Sequence, residues 1–242
     1  MPFHFNTLFK FLLLAVFVVL AGNLRANGVS TLPAQIAANY GIYKGGILIG
    51  TVEESFTSDG NSYKIVSETR TAGPLKLLLN DRVTLSSEGR IGSKGLAPSR
   101  YDLKRHNDST KNVSAVFDFG RSRIVSIHHD KTETFDLPAD TLDRITAMYQ
   151  FAFVTPLAPE VSFWMSQGKE AELYHYRKLG EAVIRIGETA YSTVHYARQA
   201  EKGRPQVQLW LAKDHHHIPV RMIFEDSRGL SLEQTLLDLR MR

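Results

Sequence analysis

Three consecutive histidines, His215-His216-His217, are the residues of this chain whose type and spacing most directly suggest chemistry. Neutral imidazoles bind zinc and copper, so neighbouring histidines could form a metal site. Successive residues of an extended chain point to alternate sides, and three in a row converge on one ion only in a tight turn. The run lies between Asp214 and Pro219, where a turn between two strands is expected. We interpret it as a turn, interpret His128-His129 in the same way, and predict no metal site.

Other signatures of catalysis are absent from the sequence, which contains no Gly-x-Ser-x-Gly, no His-Glu-x-x-His and no glycine-rich phosphate loop. Asp140 and Asp143 could form a carboxylate pair. One turn apart at the start of a predicted helix, they are expected to cap it instead. The chain has no cysteine, which excludes disulfides, thiolate metal sites and a cysteine nucleophile. We therefore predict a non-enzymatic protein with no catalytic residue and no cofactor; an enzyme that uses the histidine run is an alternative.

A set of aromatic and leucine side chains gives the main functional indication. Aromatic residues at strand and helix positions either pack the core or, where sheet curvature leaves a cavity, bind an apolar ligand. The run Gly73-Pro-Leu-Lys-Leu-Leu-Leu79 is too short to assign to helix or strand and could form a mobile flap at the mouth of such a cavity. On the second interpretation, the candidate ligand-binding residues are Leu75, Leu77, Leu78, Leu79, Phe117, Phe119, Tyr149, Phe153, Trp164 and Trp210.

Residues 1–26 have the organisation of a secretory signal. An amino-terminal region with Lys10 precedes an uncharged apolar block over residues 11–22, and Leu24-Arg-Ala26 offers a small residue for cleavage. The block is shorter than the roughly 20 residues needed to span a bilayer, which favours a cleaved leader over a membrane anchor. We predict export to the periplasm, a poorly ordered segment at residues 27–37 and a single domain at residues 38–242.

The charge balance argues against a nucleic-acid partner. Loss of Lys10 and Arg25 with the leader lowers the formal net charge from +4 to +2. Arg100, Lys104, Arg105 and His106 form a small basic cluster, which is either a solvated surface or a contact for anionic lipid headgroups. Peripheral contact with a membrane is therefore a second, smaller possibility for this chain.

The remaining sequence predicts a mainly β protein in which one amphipathic helix covers a large antiparallel sheet. Leu142, Ile145, Tyr149, Ala152 and Phe153 recur at helical spacing and predict a helix over residues 140–154. Short strands alternate with turn residues about every 8–12 residues. The predicted strands are 39–44, 47–56, 62–71, 81–90, 99–106, 113–119, 122–127, 170–177, 182–186, 190–198, 206–212, 219–225 and 230–240.

Several loose motifs are similar to those of one family of exported bacterial proteins. They are Tyr40-Gly-Ile-Tyr-Lys-Gly-Gly-Ile-Leu-Ile-Gly50, Leu96-Ala-Pro-Ser-Arg-Tyr101, Asp143-Arg-Ile-Thr-Ala-Met-Tyr149, Trp210-Leu-Ala-Lys-Asp214 and Ile218-Pro-Val-Arg221. Because these motifs occur in this order, the chain resembles the family known as domain of unknown function 3108. The resemblance implies a curved sheet around a helix, an unclosed half-barrel like those of the periplasmic lipoprotein carriers LolA and LolB, which hold acyl chains against an apolar concave face. The family has no established activity, so the resemblance implies no functional residue.

Together these observations predict a periplasmic protein that binds a hydrophobic ligand, or a lipid-bearing partner such as an acylated protein, in a groove between sheet and helix. The alternative is an envelope scaffold with a packed core that recruits an envelope protein through an exposed strand edge. A void beneath the helix would favour ligand binding. A solid core with an uncovered strand edge would favour the scaffold. Histidines that converge with a carboxylate in a cleft would favour the enzyme.

Overall fold

The computed structural model of this protein describes residues 32–77, 81–128, 131–154, 157–199 and 205–242, with the backbone alone at residue 77. The predicted leader at residues 1–26 and the segment 27–31 lie outside this part of the chain. No helix within the described ranges is long and apolar enough to cross a membrane.

Fifteen strands, one short α-helix and three 3₁₀ helices make up the described residues. The helical elements are α1 (Thr146–Gln150) and the 3₁₀ helices Gly73–Leu77, Ser109–Lys111 and Phe151–Phe153. The strands are β1 (Gln35–Lys44), β2 (Ile47–Ser58), β3 (Ser62–Thr71), β4 (Arg82–Gly92), β5 (Gly95–Arg105), β6 (Val113–Asp118), β7 (Arg123–His128), β8 (Lys131–Asp136), β9 (Leu142–Asp143), β10 (Glu160–Ser166), β11 (Glu172–Ile186), β12 (Thr189–Arg198), β13 (Gln206–Ala212), β14 (Pro219–Glu225) and β15 (Ser231–Met241).

All fifteen strands belong to one sheet, in the order β8-β7-β6-β5-β4-β3-β2-β1-β15-β14-β13-β12-β11-β10-β9. Every pair is antiparallel except β9 with β10, which is parallel. Each strand therefore pairs with its neighbour in sequence, and β15 returns to β1 in the middle of the sheet. The edge strands β8 and β9 do not pair with each other within the described residues, so the sheet is unclosed. The predicted fold class is confirmed.

Several predicted boundaries are wrong. The strands β8 and β10 were not predicted. β8 has a single apolar side chain, Phe135, among polar ones, as expected of an edge strand. The predicted strands 170–177 and 182–186 form the single strand β11, since a bulge between Lys178 and Gly180 absorbs the break in alternation. β1 begins at Gln35, so this strand extends into the segment predicted to be poorly ordered.

The predicted helix over residues 140–154 is much shorter in the structure. α1 has one turn and a half, Leu142 and Asp143 form β9, and residues 151–153 form a 3₁₀ helix. Asp140 does not cap a helix, because its φ of 58° places it in the left-handed region. Four of the five residues of the predicted apolar stripe are buried, and Phe153 is half-buried. The periodicity therefore identified the buried face correctly but not the extent of the helix.

The histidine run forms a turn, as predicted. The carbonyl oxygen of Ala212 accepts hydrogen bonds from the backbone N–H groups of His215 at 3.2 Å and His217 at 3.0 Å. His216 and His217 have left-handed φ values of 51° and 56°, which produce the tight reversal before β14. In the part of the chain that the structure describes, no group of three or more histidine, aspartate or glutamate side chains is arranged to hold a metal ion.

One face of the sheet carries the core, and we call it the inner face. Directly opposed residues of neighbouring antiparallel strands lie on the same face. The register opposes Ile36 to Phe56, Phe56 to Ile65, Ile65 to Ser87 and Ser87 to Tyr101, so this face continues across β1 to β5. The helical segment at residues 145–153 packs against it.

The two ends of the inner face differ in how well they are packed. The closed end, at the β2–β3, β4–β5 and β6–β7 turns, is filled by side chains that are each at most 5% exposed. They are Ile36, Phe56, Tyr63, Ile65, Leu96, Ile145, Tyr149 and Ile218. The open end, at the β1–β2, β7–β8 and β10–β11 connections, has inner-face side chains that are only half-buried. The inner face is therefore more accessible to solvent at the open end than at the closed end.

Candidate functional site

A buried carboxylate holds the helical segment on the inner face. Asp143 is 0% exposed, and its Oδ1 accepts hydrogen bonds from the N–H groups of Ile145 at 3.0 Å and Thr146 at 2.9 Å. Its Oδ2 accepts from the hydroxyls of Ser87 at 2.5 Å and Thr146 at 2.7 Å. Burial raises the pKa of Asp143, and these hydrogen bonds oppose that rise. Asp143 therefore caps the segment and ties it to β4.

The remainder of the helical segment is fixed by two further polar contacts. The amide of Gln150 donates to the carbonyl of Lys94 at 2.7 Å and accepts from the N–H of Leu96 at 2.9 Å. The hydroxyl of Tyr149 donates to Oε1 of Glu54 on β2 at 2.9 Å. Because β2, β4 and β5 all hold it, this segment forms a rigid floor beneath the open end.

The ionisation of Glu54 gives a testable pH dependence. Burial raises the pKa of this carboxyl, while hydrogen bonds from Tyr149 and Ser67 partly oppose the rise. The folded protein then binds the proton more tightly than the unfolded chain, so stability is greatest below the ordinary pKa of 4.5 and falls as the pH rises from 4.5 toward the folded-state pKa. Each unit of pKa difference changes the free energy of unfolding by about 1.4 kcal/mol.

We expect the Glu54→Gln variant to lose less stability than the wild type between pH 4.5 and neutral pH. Urea unfolding at a series of pH values measures the slope. Glu53→Gln is the matched control, because Glu53 is adjacent to Glu54 in sequence but is exposed and lies on the other face of β2. Parallel stability curves for the wild type and Glu54→Gln would contradict the assignment.

Half-buried apolar side chains line the inner face at the open end. They belong to strands from both halves of the strand order and are Ile42, Leu103, Val113, Tyr174, Val207, Met222 and Leu232. Phe224, which opposes both Val207 and Leu232, is 40% exposed. Apolar surface of this kind on a concave face is typical of a ligand site.

A cavity of about 400 Å³ lies at the open end, where β5, β6 and β7 face β10 and β11 across the gap in the sheet. This volume is in the range of small-molecule sites. The cavity is lined by Leu103, Val113, His128, Met165, Gln167, Lys169, Glu170, Glu172 and Tyr174. A second cavity of about 390 Å³ shares His128 and Lys169 and adds Lys131 and Glu133.

Gly168 lets the two sides of the gap approach each other. A Cβ at this position would lie 2.6 Å from Cγ1 of Val113 and 3.2 Å from Cβ of Ala115, so only glycine fits against β6. Its φ of 87° also favours glycine. The β10–β11 loop therefore lies directly on the inner face and forms one wall of the cavity.

A cation is buried behind the cavity wall. The Arg198 side chain on β12 is 6% exposed, and its Cζ lies 3.6 Å from the centre of the Tyr174 ring. Its Nη2 is 3.4 Å from Oε2 of Glu172, whose side chain is 44% exposed. Tyr174 and Glu172 both line the cavity, so Arg198 lies directly behind two of its lining residues.

None of the predicted ligand-binding residues whose side chains the structure describes lines this cavity. Phe117 is 4% exposed in a core cluster with Tyr101, and Tyr149 is 2% exposed beside Glu54. Phe153 is half-buried against the closed-end core. Phe119, just beyond the end of β6, is 37% exposed.

The two tryptophans lie on the other face of the sheet. Alternation places Trp164 opposite to Met165 on β10, and Trp210 opposite to Leu209 on β13. The Trp210 ring stacks on the ring of His195 at 4.1 Å. Their strands therefore turn these side chains away from the inner face and from the cavity.

Part of the predicted flap can be located. Leu75 is half-buried in the 3₁₀ helix Gly73–Leu77, which packs against β2 at the open end. The side chain of Leu77 and the whole of Leu78 and Leu79 lie outside the described residues. The flap therefore stays a prediction.

The basic cluster is engaged with nearby side chains. Arg100 forms a two-pronged ion pair with Asp102, at 2.8 and 3.1 Å. Arg105 lies 3.6 Å from Asp81, and the His106 ring bonds to Arg82 and Thr84 at 2.9 and 3.0 Å. Contact with a membrane through this cluster stays a prediction.

Some of the lining could have been found from sequence. Tyr174 shares one alternating strand face with Tyr176, and Val113 begins a predicted strand. Leu103 lies on the strand face that carries Tyr101. The missing information was which strands face one another across the gap, which depends on the unpredicted strands β8 and β10.

Comparisons place the fold among known proteins. The sequence model of the family described as "Protein of unknown function (DUF3108)" matches residues 37–235. The crystal structure of a β-barrel-like protein of the domain of unknown function DUF1849 from Brucella abortus is similar, with a TM-score of 0.57 at 13% identity. The similarity covers 87% of this chain and 98% of that one, and it shows a shared fold alone. No curated protein matches the sequence significantly.

Proposed function

This chain belongs to the DUF3108 family of unknown function, and from that premise we propose that it is a non-enzymatic protein of the periplasm that binds a hydrophobic ligand. The ligand is an acyl chain, carried by a lipid or by an acylated protein, and its site is the cavity at the open end of the inner face. The observation that carries this proposal is the contrast between the two ends. Side chains fill the closed end, whereas about 400 Å³ of space remains at the open end. Apolar side chains (Leu103, Val113, Met165 and Tyr174) line one part of this space, and polar or charged side chains line the rest.

The energetics support retention of a single chain. Each buried methylene contributes about 0.8 kcal/mol, so ten buried methylenes contribute roughly 8 kcal/mol before the cost of association is subtracted. No catalytic group is needed for such binding. The hydroxyls of Ser87 and Thr146 and the carboxylate of Asp143 are at most 1% exposed and hydrogen-bond one another, so they are placed for capping and not for attack on a substrate.

The secretory signal at residues 1–26 supports the periplasmic assignment. A cleaved leader would release a chain with a partly apolar cavity into a compartment bounded by two membranes. Lipids and acylated proteins are abundant there, so the proposed ligand and the proposed location are consistent with each other.

The edge strand β8 supports a second function, recruitment of an envelope protein by strand addition. In the described part of the chain β8 pairs with β7 alone, so its other edge is available to a partner. However, Lys131, Glu133 and Asp136 are exposed on β8, and charged residues of this kind are typical of edges protected against pairing. We therefore favour ligand binding.

Native mass spectrometry of protein purified from a bacterial periplasm without detergent tests the proposal. We expect a discrete adduct of lipid mass that is lost on unfolding and recovered by organic extraction. The mass of the protein itself gives the cleavage site of the leader. A ligand-free mass with no uptake of added palmitate or phosphatidylglycerol would overturn the proposal.

Two valine substitutions on β6 locate the site. Val113 lines the cavity, whereas Val116 lies on the opposite face and is 45% exposed. We expect Val113→Glu to abolish the adduct and Val116→Glu to retain it, because only the first places a charge in the apolar part of the cavity, beside Leu103. Thermal unfolding checks that both variants fold. Leu103→Trp, which fills the same cavity without a charge, serves as the second blocking variant.

A further inference from the structure

Arg198 provides a feature that binding of an acyl chain alone does not require. Its side chain is 6% exposed, yet it lies against two lining residues of the cavity, Tyr174 and Glu172. Removing a guanidinium from water is costly unless a negative charge accompanies it. The partner position beside Arg198 is therefore a place where an anion is stabilised.

Glu172 now occupies that position, at a long separation from the guanidinium. The separation of 3.4 Å is longer than the roughly 2.7–2.9 Å of a strong charge-assisted hydrogen bond. The Glu172 side chain is also 44% exposed, and it hydrogen-bonds the Tyr174 side chain at the cavity wall. The planar guanidinium suits a carboxylate or phosphate group, which it binds with two parallel hydrogen bonds.

We propose that the cavity takes an anionic amphiphile, with one alkyl or acyl chain and a carboxylate or phosphate head group, and that Arg198 binds this head group in place of Glu172. The inference rests on the proposed function and adds the class of ligand. A cationic head group would be repelled by Arg198, and a neutral one would not replace Glu172. Lys169 and Glu170 also line the cavity, but both are exposed and opposite in charge, so the buried Arg198 determines the preference.

Isothermal titration calorimetry of the delipidated mature protein tests this proposal with three ligands of equal chain length: dodecanoate, dodecyl phosphate and dodecanol. We expect both anions to bind at least about tenfold more tightly than the alcohol, since a hydrogen-bonded charge is added to the same apolar contact. A preference between the two anions distinguishes a free fatty acid from a phosphate-bearing lipid.

Variants separate the head group from the chain. Arg198→Met should bind the anions no more tightly than dodecanol, while its affinity for dodecanol is unchanged. Glu172→Gln should bind the anions more tightly than the wild type. Arg177→Met is the matched control, because this exposed arginine of β11 lies on the outer face. Arg198→Lys, which keeps the buried charge but not the planar fork, should fold and retain part of the preference.

The outcomes distinguish the two proposals. Equal affinity of the wild type for all three ligands, or an unchanged preference in Arg198→Met, would overturn the role of Arg198 and leave the hydrophobic site in place. If none of the three ligands binds, the proposed function itself fails, and the inference that rests on it fails too.

Discussion

Replacing Asp143 by alanine is expected to lower the free energy of unfolding by about 3–4 kcal/mol. The substitution leaves the N–H groups of Ile145 and Thr146 and the hydroxyls of Ser87 and Thr146 without their acceptor. Each unsatisfied buried polar group costs about 1–3 kcal/mol, and the groups of one network share part of that cost. Because Asp143 joins the helical segment to β4, we also expect the segment to detach from the inner face.

Urea unfolding measures the loss, and binding of a hydrophobic dye reports exposure of the inner face. Asp140→Asn is the matched control: Asp140 lies three residues upstream, its side chain is 61% exposed, and it makes an ion pair with Lys94. Asparagine tolerates its left-handed φ, so this variant should change stability by less than about 1 kcal/mol. Equal midpoints for Asp143→Ala and Asp140→Asn would show that the buried network contributes no net stability.

The position of Asp143 also explains why the predicted helix was too long. Apolar residues recur at helical spacing from Leu142 onward, and the sequence pattern contains no proline or glycine before Pro156. Asp143 nevertheless uses its side chain to bind the N–H groups two and three residues ahead, and this local alternative to a helical turn keeps residues 142 and 143 extended. Whether an aspartate caps or interrupts a helix depends on the partners around it, here Ser87 from a strand 56 residues away in sequence.

The fold could be predicted further than the site. Period-two alternation identified most strands, and the bounds of β3, β13 and β14 were predicted to the residue. Alternation assigns a residue to one face of its strand but does not show where that face is filled. Tyr174 and Tyr176 share one face of the same strand, yet Tyr176 is 2% exposed in the core and Tyr174 lines the cavity.

The gap in the sheet is the feature that sequence patterns miss entirely. The cavity depends on contact between β6 and the β10–β11 loop, which are about 50 residues apart and never pair as strands. Gly168 permits this contact, but glycine is common in turns simply because it adopts a positive φ, so its presence does not indicate a close approach. The cavity is therefore a product of sheet curvature, which no local pattern encodes.

Replacing Phe151 by alanine is expected to lower the free energy of unfolding by about 3–5 kcal/mol. Phe151 is 0% exposed, and its ring meets those of Phe163, Tyr176 and Tyr196 at centroid distances of 5.2, 5.5 and 5.6 Å. Truncation removes this buried area and leaves a void that the surrounding strands cannot fill. Equilibrium unfolding in urea measures the loss.

Phe224→Ala is the control of the same residue type on the same face. Phe224 is 40% exposed at the open end, so its truncation removes less buried area and creates no enclosed void. We expect a loss of less than about 1.5 kcal/mol. If the two variants lost equal stability, the open end would be as tightly packed as the centre, and the hydrophobic site would have no space. A large loss confined to Phe151→Ala would instead mean that the helical segment is anchored independently of the apolar residues at the open end. A ligand could then enter and leave without unfolding the core beneath it.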